Sequence, residues 1–129
     1  MSKKVLVIFP DEGMLDFLKS VLSLEGGDKY EVETEWNLKK ALEAIERSRP
    51  DLLLMEAAPL NLGIGHEEFQ VLTEIRKRYP DLKIVILIDS GEKDLIERAR
   101  QIGVEDYLIK FDIEETLTVV RKKLGNPSP

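Results

Sequence analysis

The sequence predicts a three-layer α/β domain in which helices cover both faces of a parallel β-sheet. Short runs of aliphatic and β-branched residues alternate with longer segments whose apolar residues recur at helical spacing. Three of the short runs are apolar at nearly every position, which is typical of strands covered on both faces. Five strands and five helices in strict alternation favour a doubly wound sandwich with right-handed crossovers.

The predicted strands differ in their pattern of polarity. They are Val5–Phe9, Tyr30–Trp36, Leu52–Met55, Ile84–Ile88 and Tyr107–Ile109. The second strand alternates between apolar and polar residues, so we place it at an edge of the sheet, where its glutamates discourage pairing with another chain. We expect Trp36, at the end of this strand, to cover the edge of the core.

The predicted helices are recognised by apolar residues three and four positions apart and by their end signals. Asn37 is expected to cap the second helix. Residues 57–65 are predicted to form a long loop before the third helix, and His66 is placed in this loop beside Glu67 and Glu68. The fifth helix covers Ile113–Leu124. The end signals of the five helices are, in chain order, Gly26–Gly27, Pro50, Pro80, Gly103 and Gly125.

Length and composition narrow the possible functions. A chain of 129 residues suffices for one core, and we assign residues 1–125 to one domain and residues 126–129 to a tail or linker. Hydrophobic residues make up 43% and charged residues 34%, which excludes a mainly disordered chain. With 19 basic and 25 acidic residues the net charge is −6, which argues against direct binding of nucleic acid.

The absence of cysteine and the presence of a single histidine exclude further kinds of site. Disulfides, thiolate zinc sites, thiol nucleophiles and multi-histidine metal clusters all require residues that the sequence lacks. The first apolar run is too short for a signal peptide or a membrane span. We therefore expect a cytoplasmic protein that does not bind a membrane.

Polar residues gather where the predicted strands end, at the edge of the sheet where doubly wound folds bind ligands. They are Asp11, Glu12, Glu56, Asp89 and Lys110. Carboxylates suit a hard cation such as Mg²⁺, for which Asp11, Glu12 and Glu56 are the candidate ligands, and a lysine beside them could hold a phosphate. The alternative is that polar residues gather there only because the chain returns to solvent. No glycine-rich phosphate loop follows the first strand, so we expect no nucleotide cofactor.

Two segments resemble the receiver domain of bacterial two-component response regulators. Residues 50–56, PDLLLME, are similar to the family's PDLxLLD motif, and residues 103–110, GVEDYLIK, are similar to its GADDYLxKP motif. The resemblance covers nearly the whole chain. It implies a flavodoxin-like (βα)5 sandwich with a parallel sheet in the order 2-1-3-4-5.

In the family that the chain resembles, an acidic pair binds Mg²⁺, an aspartate accepts phosphate from a histidine kinase, a threonine or serine ends strand four, and a lysine precedes a cis-proline. Here Phe9 and Pro10 occupy the place of the acidic pair in an ungapped alignment, and a shift of one residue leaves only Asp11 there. Glu56 stands at the phosphoacceptor position and Ile88 at the hydroxyl position. Lys110 matches the family, whereas Phe111 replaces the proline.

These departures predict a receiver that does not depend on phosphorylation and acts by binding a protein. Phosphoryl transfer needs metal and hydroxyl groups around an in-line nucleophile. Glu56 could instead form a permanent ion pair with Lys110, or the two could form a salt bridge with no role in signalling. Tyr107 resembles the family's aromatic switch, which we expect to be inactive beside Ile88.

Partner and reaction class follow from the same residues. We expect binding through the face of helix four, strand five and helix five, to a protein partner or a second copy of the chain, and no dependence on a histidine kinase. The first alternative is a phosphorelay receiver that still binds Mg²⁺ and accepts phosphate. The second, an α/β enzyme with a carboxylate as general base, lacks a nucleophile and a cofactor motif, so no enzymatic activity and no cofactor are expected.

Overall fold

The computed structural model describes residues 3–26, 29–37, 40–56, 65–88, 93–104, 106–109 and 112–124, with the backbone alone for residues 25–26, 65–70 and 93–95. The strands of these residues are β1 (Lys3–Ile8), β2 (Tyr30–Glu35), β3 (Leu52–Glu56), β4 (Lys83–Ile88) and β5 (Asp106–Ile109). The helices are α1 (Glu12–Gly26), α2 (Ala41–Ser48), α3 (Gly65–Arg78), α4 (Lys93–Gln101) and α5 (Ile113–Leu124).

The five strands form one sheet in the order β2-β1-β3-β4-β5, and all four pairings are parallel. This order confirms the predicted fold class and the edge position of β2. Within the part of the chain that is described, no helix is both long and apolar enough to cross a membrane. Residues 125–129 lie outside the described residues, so the predicted domain boundary stays a prediction.

The sheet separates two apolar clusters. One cluster contains Leu6, Leu53 and Ile86, on which α2, α3 and α4 pack, and the other contains Val7 and Leu54, on which α1 and α5 pack. Successive residues of a strand point to opposite faces, so an uninterrupted apolar run supplies both clusters at once. This explains why the central strands β1, β3 and β4 are nearly continuous in hydrophobicity.

A single arginine organises the turn between α3 and β4. Arg76 Nη1 donates to the carbonyl oxygens of Tyr79, Pro80 and Leu82 at 3.2, 2.9 and 2.9 Å. These carbonyls follow the end of α3, where backbone acceptors lack helical partners. The guanidinium therefore fixes the path by which the chain enters β4.

Gly103 ends the α4 region as predicted. Its φ is +90°, a left-handed conformation that residues other than glycine rarely adopt. Its N–H donates to the carbonyl of Arg100 at 3.0 Å, and the N–H of Val104 reaches the carbonyl of Ala99 at 2.9 Å. This turn brings the chain to β5.

Three local predictions are wrong. The N-cap of α2 is Lys40 rather than Asn37, and Lys40 makes no side-chain capping hydrogen bond; its N–H donates to the Asn37 carbonyl at 2.9 Å. α3 begins at Gly65, which places His66 in a helix rather than a loop. Trp36 is 54% exposed and so does not cover the core, because the strand ends one residue before it.

Candidate functional site

The candidate site lies at the carboxyl edge of the sheet, where the parallel strands end together. β1, β4 and β5 end at Ile8, Ile88 and Ile109, and β3 ends at Glu56, which pairs in register with Leu87 of β4. Each of these strand ends leads to a segment in which the sequence predicts a site residue. The topology therefore places the described members of the predicted set, Asp11, Glu12, Glu56 and Ile88, along one edge.

Glu56 is the last residue of β3 and is only 6% exposed. Its neighbours across the sheet belong to an apolar strand, since β4 is buried from Ile84 to Ile88. A carboxylate this deeply buried is costly to ionise unless other groups compensate its charge. The residue predicted at the family's phosphoacceptor position is thus a buried glutamate at the end of β3.

Asp11 serves as a helix cap. Its Oδ1 accepts a hydrogen bond from the Met14 N–H at 3.1 Å, and its carbonyl accepts from the Leu15 N–H at 2.9 Å. This is the usual bonding of an N-cap aspartate, which satisfies a backbone donor at the start of a helix. Glu12 begins α1 and is exposed to solvent.

The described residues do not fit a magnesium site built on the three predicted carboxylates. No three aspartate, glutamate, histidine or cysteine side chains in the described ranges are grouped so that they could hold a metal ion. The predicted set of Asp11, Glu12 and Glu56 is therefore not gathered into a ligand cluster. One physical reason is that the Asp11 carboxylate is directed at the first turn of α1. Magnesium binding by these residues stays a prediction.

Ile88 is 1% exposed and belongs to the apolar cluster that contains Ile8 and Met55. A threonine or serine at the same place would present a hydroxyl where the isoleucine presents only hydrocarbon. The end of β4 therefore contributes packing and no hydrogen-bond donor from this side chain.

Tyr107 and Ile109 lie on β5, an edge strand, and are each 41% exposed. In register they lie beside Ile86 and Ile88 of β4, so both project from the face of the sheet that carries α4. Leu108 between them is buried on the opposite face. The outer part of β5 thus presents two large apolar side chains to solvent.

Several predicted residues lie outside the described residues. These are Lys110, Phe111, Asp89, Ser90 and the loop of residues 57–64. The proposed ion pair between Glu56 and Lys110 consequently stays a prediction, as does any role of the His66 side chain.

The structure also shows features that sequence reasoning missed. A groove of about 340 Å³ lies beside Trp36 and is bordered by Glu12 and Asp16 of α1. A larger cavity of about 490 Å³ lies at the opposite edge of the sheet, between Pro50 and Tyr79, far from the predicted chemistry.

Comparison with known proteins identifies the family of this chain. The family model for the response regulator receiver domain matches residues 5–121. Sporulation initiation phosphotransferase F of Bacillus subtilis is 28% identical over 126 residues, which cover 96% of this chain and 95% of that protein. Response regulator MprA of Mycobacterium leprae is 30% identical over 129 residues, which cover 98% of this chain and 53% of that protein.

The relatives differ in length. The chain spans nearly all of the Bacillus protein but only about half of MprA and 49% of the transcriptional regulatory protein KdpE of Staphylococcus aureus. Among solved structures, a CheY-like receiver domain protein of Methanospirillum hungatei matches with a TM-score of 0.81 and 23% identity. That alignment covers 98% of this chain and 97% of the other and shows the shared fold. With the family model matching nearly the full length, the chain belongs to the response regulator receiver domain family.

Proposed function

We propose that this receiver works without phosphorylation and signals by binding a protein. The observation that carries the proposal is Glu56, a glutamate at the end of β3 that is only 6% exposed, where the family's motif has the phosphoacceptor aspartate. Its extra methylene moves the carboxylate by about 1.5 Å relative to an aspartate. A displacement of this size is enough to lower an in-line transfer about 100-fold.

The surroundings of Glu56 support the same proposal. Transfer of a phosphoryl group depends on positive charge and hydrogen-bond donors around its oxygens. Ile88 supplies no hydroxyl, and the Asp11 carboxylate is engaged in capping α1. The competing function is a phosphorelay receiver, for which the exposed carboxylate of Glu12 beside the end of β1 is the favourable observation.

A phosphorylation experiment separates the two functions. The chain is incubated with acetyl phosphate and several millimolar Mg²⁺, and its intact mass is followed, with Glu56→Gln as the matched control that keeps the side-chain shape. We expect no phosphoryl adduct on either protein. An adduct on the wild-type chain that disappears in Glu56→Gln would establish a working phosphoacceptor and overturn the proposal.

A second experiment follows the backbone directly. Amide shifts of Asp11, Glu56, Ile88 and Tyr107 are recorded with Mg²⁺ and then with Mg²⁺ plus beryllofluoride, a mimic of the acyl phosphate. We expect the chemical shifts of these amides to stay unchanged at several millimolar Mg²⁺, with and without beryllofluoride. Concerted, saturable shifts would instead show that the acidic edge still binds the metal and the mimic.

The surface we propose for the partner is the face of α4, β5 and α5. Its support is the exposure of Tyr107 and Ile109 together with charged residues of both signs on the flanking helices, among them Glu97, Arg100 and Lys122. Apolar side chains ringed by mixed charge are suited to specific protein contacts. A second copy of the chain is one partner with this chemistry, and no histidine kinase, nucleic acid or enzymatic substrate is part of the proposal.

Self-association through this face is tested by sedimentation at increasing concentration. We expect Ile109→Ser to weaken the association, and Leu24→Ser, which changes an 87% exposed leucine on α1, to leave it unchanged. If Leu24→Ser alone weakened the association, the α4-β5-α5 face would not be the contact. A chain that remained monomeric throughout would leave a different protein as the partner of the face.

A further inference from the structure

A groove of about 340 Å³ lies at the β2 side of the carboxyl edge, away from β5. Leu15 and Thr34 contribute apolar and hydroxyl surface to its lining, and the remaining lining residues are Glu12, Asp16, Glu35, Trp36 and Lys40. The volume is at the small end of the range for ligand sites in proteins. The groove therefore has room for one or two side chains of a partner rather than for a folded element.

The charge of the groove is predominantly negative. Among the residues that the structure describes, three carboxylates line it, against the ammonium group of Lys40. Glu12 and Asp16 are one helical turn apart on α1, and like charges at this spacing repel each other. Glu35 is partly engaged, because its Oε2 accepts from the Asn37 N–H at 2.9 Å. The described part of the lining thus carries more carboxylates than ammonium groups.

Trp36 adds an aromatic surface to this negative charge. Its side chain is 54% exposed, although tryptophan gains much from burial. An indole accessible to solvent beside carboxylates is the arrangement that attracts a flat, weakly hydrated cation, because the ring face and the acids favour the same charge. Arginine fits both features, since its guanidinium stacks on aromatic rings and donates to carboxylates.

We propose that the Trp36 groove is a docking site for an arginine-containing segment of a protein partner. The guanidinium lies against Trp36, and the carboxylates of Glu12 and Asp16 bind its N–H groups. A metal ion is a poorer occupant, because the described acids are not grouped to hold one. The site is distinct from the α4-β5-α5 face and does not depend on whether Glu56 accepts phosphate.

The probe is a short unstructured peptide, acetyl-Gly-Arg-Gly-Arg-Gly-amide, and its control is the same peptide with citrulline in place of arginine. Citrulline keeps the shape of arginine and removes its charge. Trp36 is the only tryptophan of the chain, so its fluorescence reports on the groove alone. We expect saturable binding of the arginine peptide, at least about five-fold weaker binding of the citrulline peptide, and loss of affinity as salt is raised.

Variants of the chain assign the binding to this groove. We expect Glu12→Gln and Asp16→Asn each to weaken binding about 2- to 5-fold, and Lys40→Gln to strengthen it. Glu114→Gln on α5 removes the same charge from an exposed position outside the groove and should leave the affinity unchanged. For Trp36→Leu, binding is followed by the amide shifts of Asp16 and Thr34, and we expect a loss of about 2- to 5-fold.

Four results would overturn the proposal. The first is the absence of a saturable response to the arginine peptide. The second is equal binding of the citrulline peptide, which would make the groove a neutral surface. The third is an equal effect of Glu114→Gln and Asp16→Asn, which would indicate attraction by net charge alone. The fourth is a change in tryptophan fluorescence with protein concentration and no peptide, which would assign the groove to a second copy of the chain.

Discussion

The Asp11 carboxylate accepts a hydrogen bond from the Met14 N–H at 3.1 Å and thereby caps α1. Asp11 is also the residue that a one-residue shift of the alignment places in the family's metal pair. A carboxylate oxygen used for capping is less available to a cation, and moving it would leave a backbone donor at the helix start unsatisfied. In this structure Asp11 serves the helix, and the predicted metal role would compete with that cap.

The capping role predicts the effect of substitutions at Asp11. Asp11→Ala should lower the free energy of unfolding by about 1 kcal/mol, whereas Asp11→Asn, which can still accept the hydrogen bond, should change it by only a few tenths. Urea denaturation of the three proteins measures both values. An equal loss in the two variants would mean that the negative charge rather than the cap contributes the stability.

Ile88 allows a test of what a hydroxyl would cost at the end of β4. Ile88→Val should destabilise the domain by about 0.5–1.5 kcal/mol through the lost methylene. Ile88→Thr should cost about 1–3 kcal/mol more, because the hydroxyl would enter an apolar cluster without a partner. Chemical denaturation compares the two variants. A threonine variant as stable as the valine variant would show that an acceptor is already in place for the hydroxyl.

Arg76 should contribute strongly to stability through its three carbonyl contacts. Arg76→Met keeps much of the aliphatic side chain and removes the guanidinium, and we expect a loss of about 1.5–3 kcal/mol. Lys77→Met, at the next and exposed position of α3, is the matched control and should have little effect. Similar losses in both variants would assign the effect to general surface charge.

The positive φ of Gly103 predicts that any side chain at this position lowers the free energy of unfolding through backbone strain rather than through crowding. A Cβ at this position would lie 3.7 Å from atoms of the Arg76 side chain, which is an ordinary contact. Gly103→Ala should therefore cost about 1 kcal/mol from the positive φ alone. Gly103→Asn should cost less, since asparagine adopts this conformation more readily. Thermal unfolding of the two variants tests this order.

The fold could be predicted from the sequence because the central strands are apolar at nearly every position. Leu52 to Met55 is apolar at every position, and such a run is consistent only with burial on both faces when helices alternate with it. The first residue of α2 could not be predicted from the sequence pattern in the same way. Asn37 is a good capping residue by type, yet its carbonyl accepts from the Lys40 N–H and the helix begins four residues later, at Ala41.

The candidate site was predictable in position and less so in detail. The PDLLLME motif placed Glu56 at the end of its strand, and the apolar run Ile84–Ile88 placed Ile88 at the end of its own, where the structure has them. The capping role of Asp11 had a signal in the sequence, an aspartate directly before a helical pattern, but its acidic neighbour suggested a metal ligand instead. The groove at Trp36 depends on how α1 and β2 lie against each other, which no local pattern specifies.

The two apolar clusters share only the sheet between them, and this has a consequence for how the protein can vary. A change of side-chain volume under α4 is transmitted to the packing of α1 only through the backbone of the strands. Substitutions that are distant and share no partners combine additively in their effects on stability. Substitutions on the face that carries Tyr107 and on the face that carries Leu15 should therefore change the free energy of unfolding independently, so that each face can vary in sequence without repacking the other.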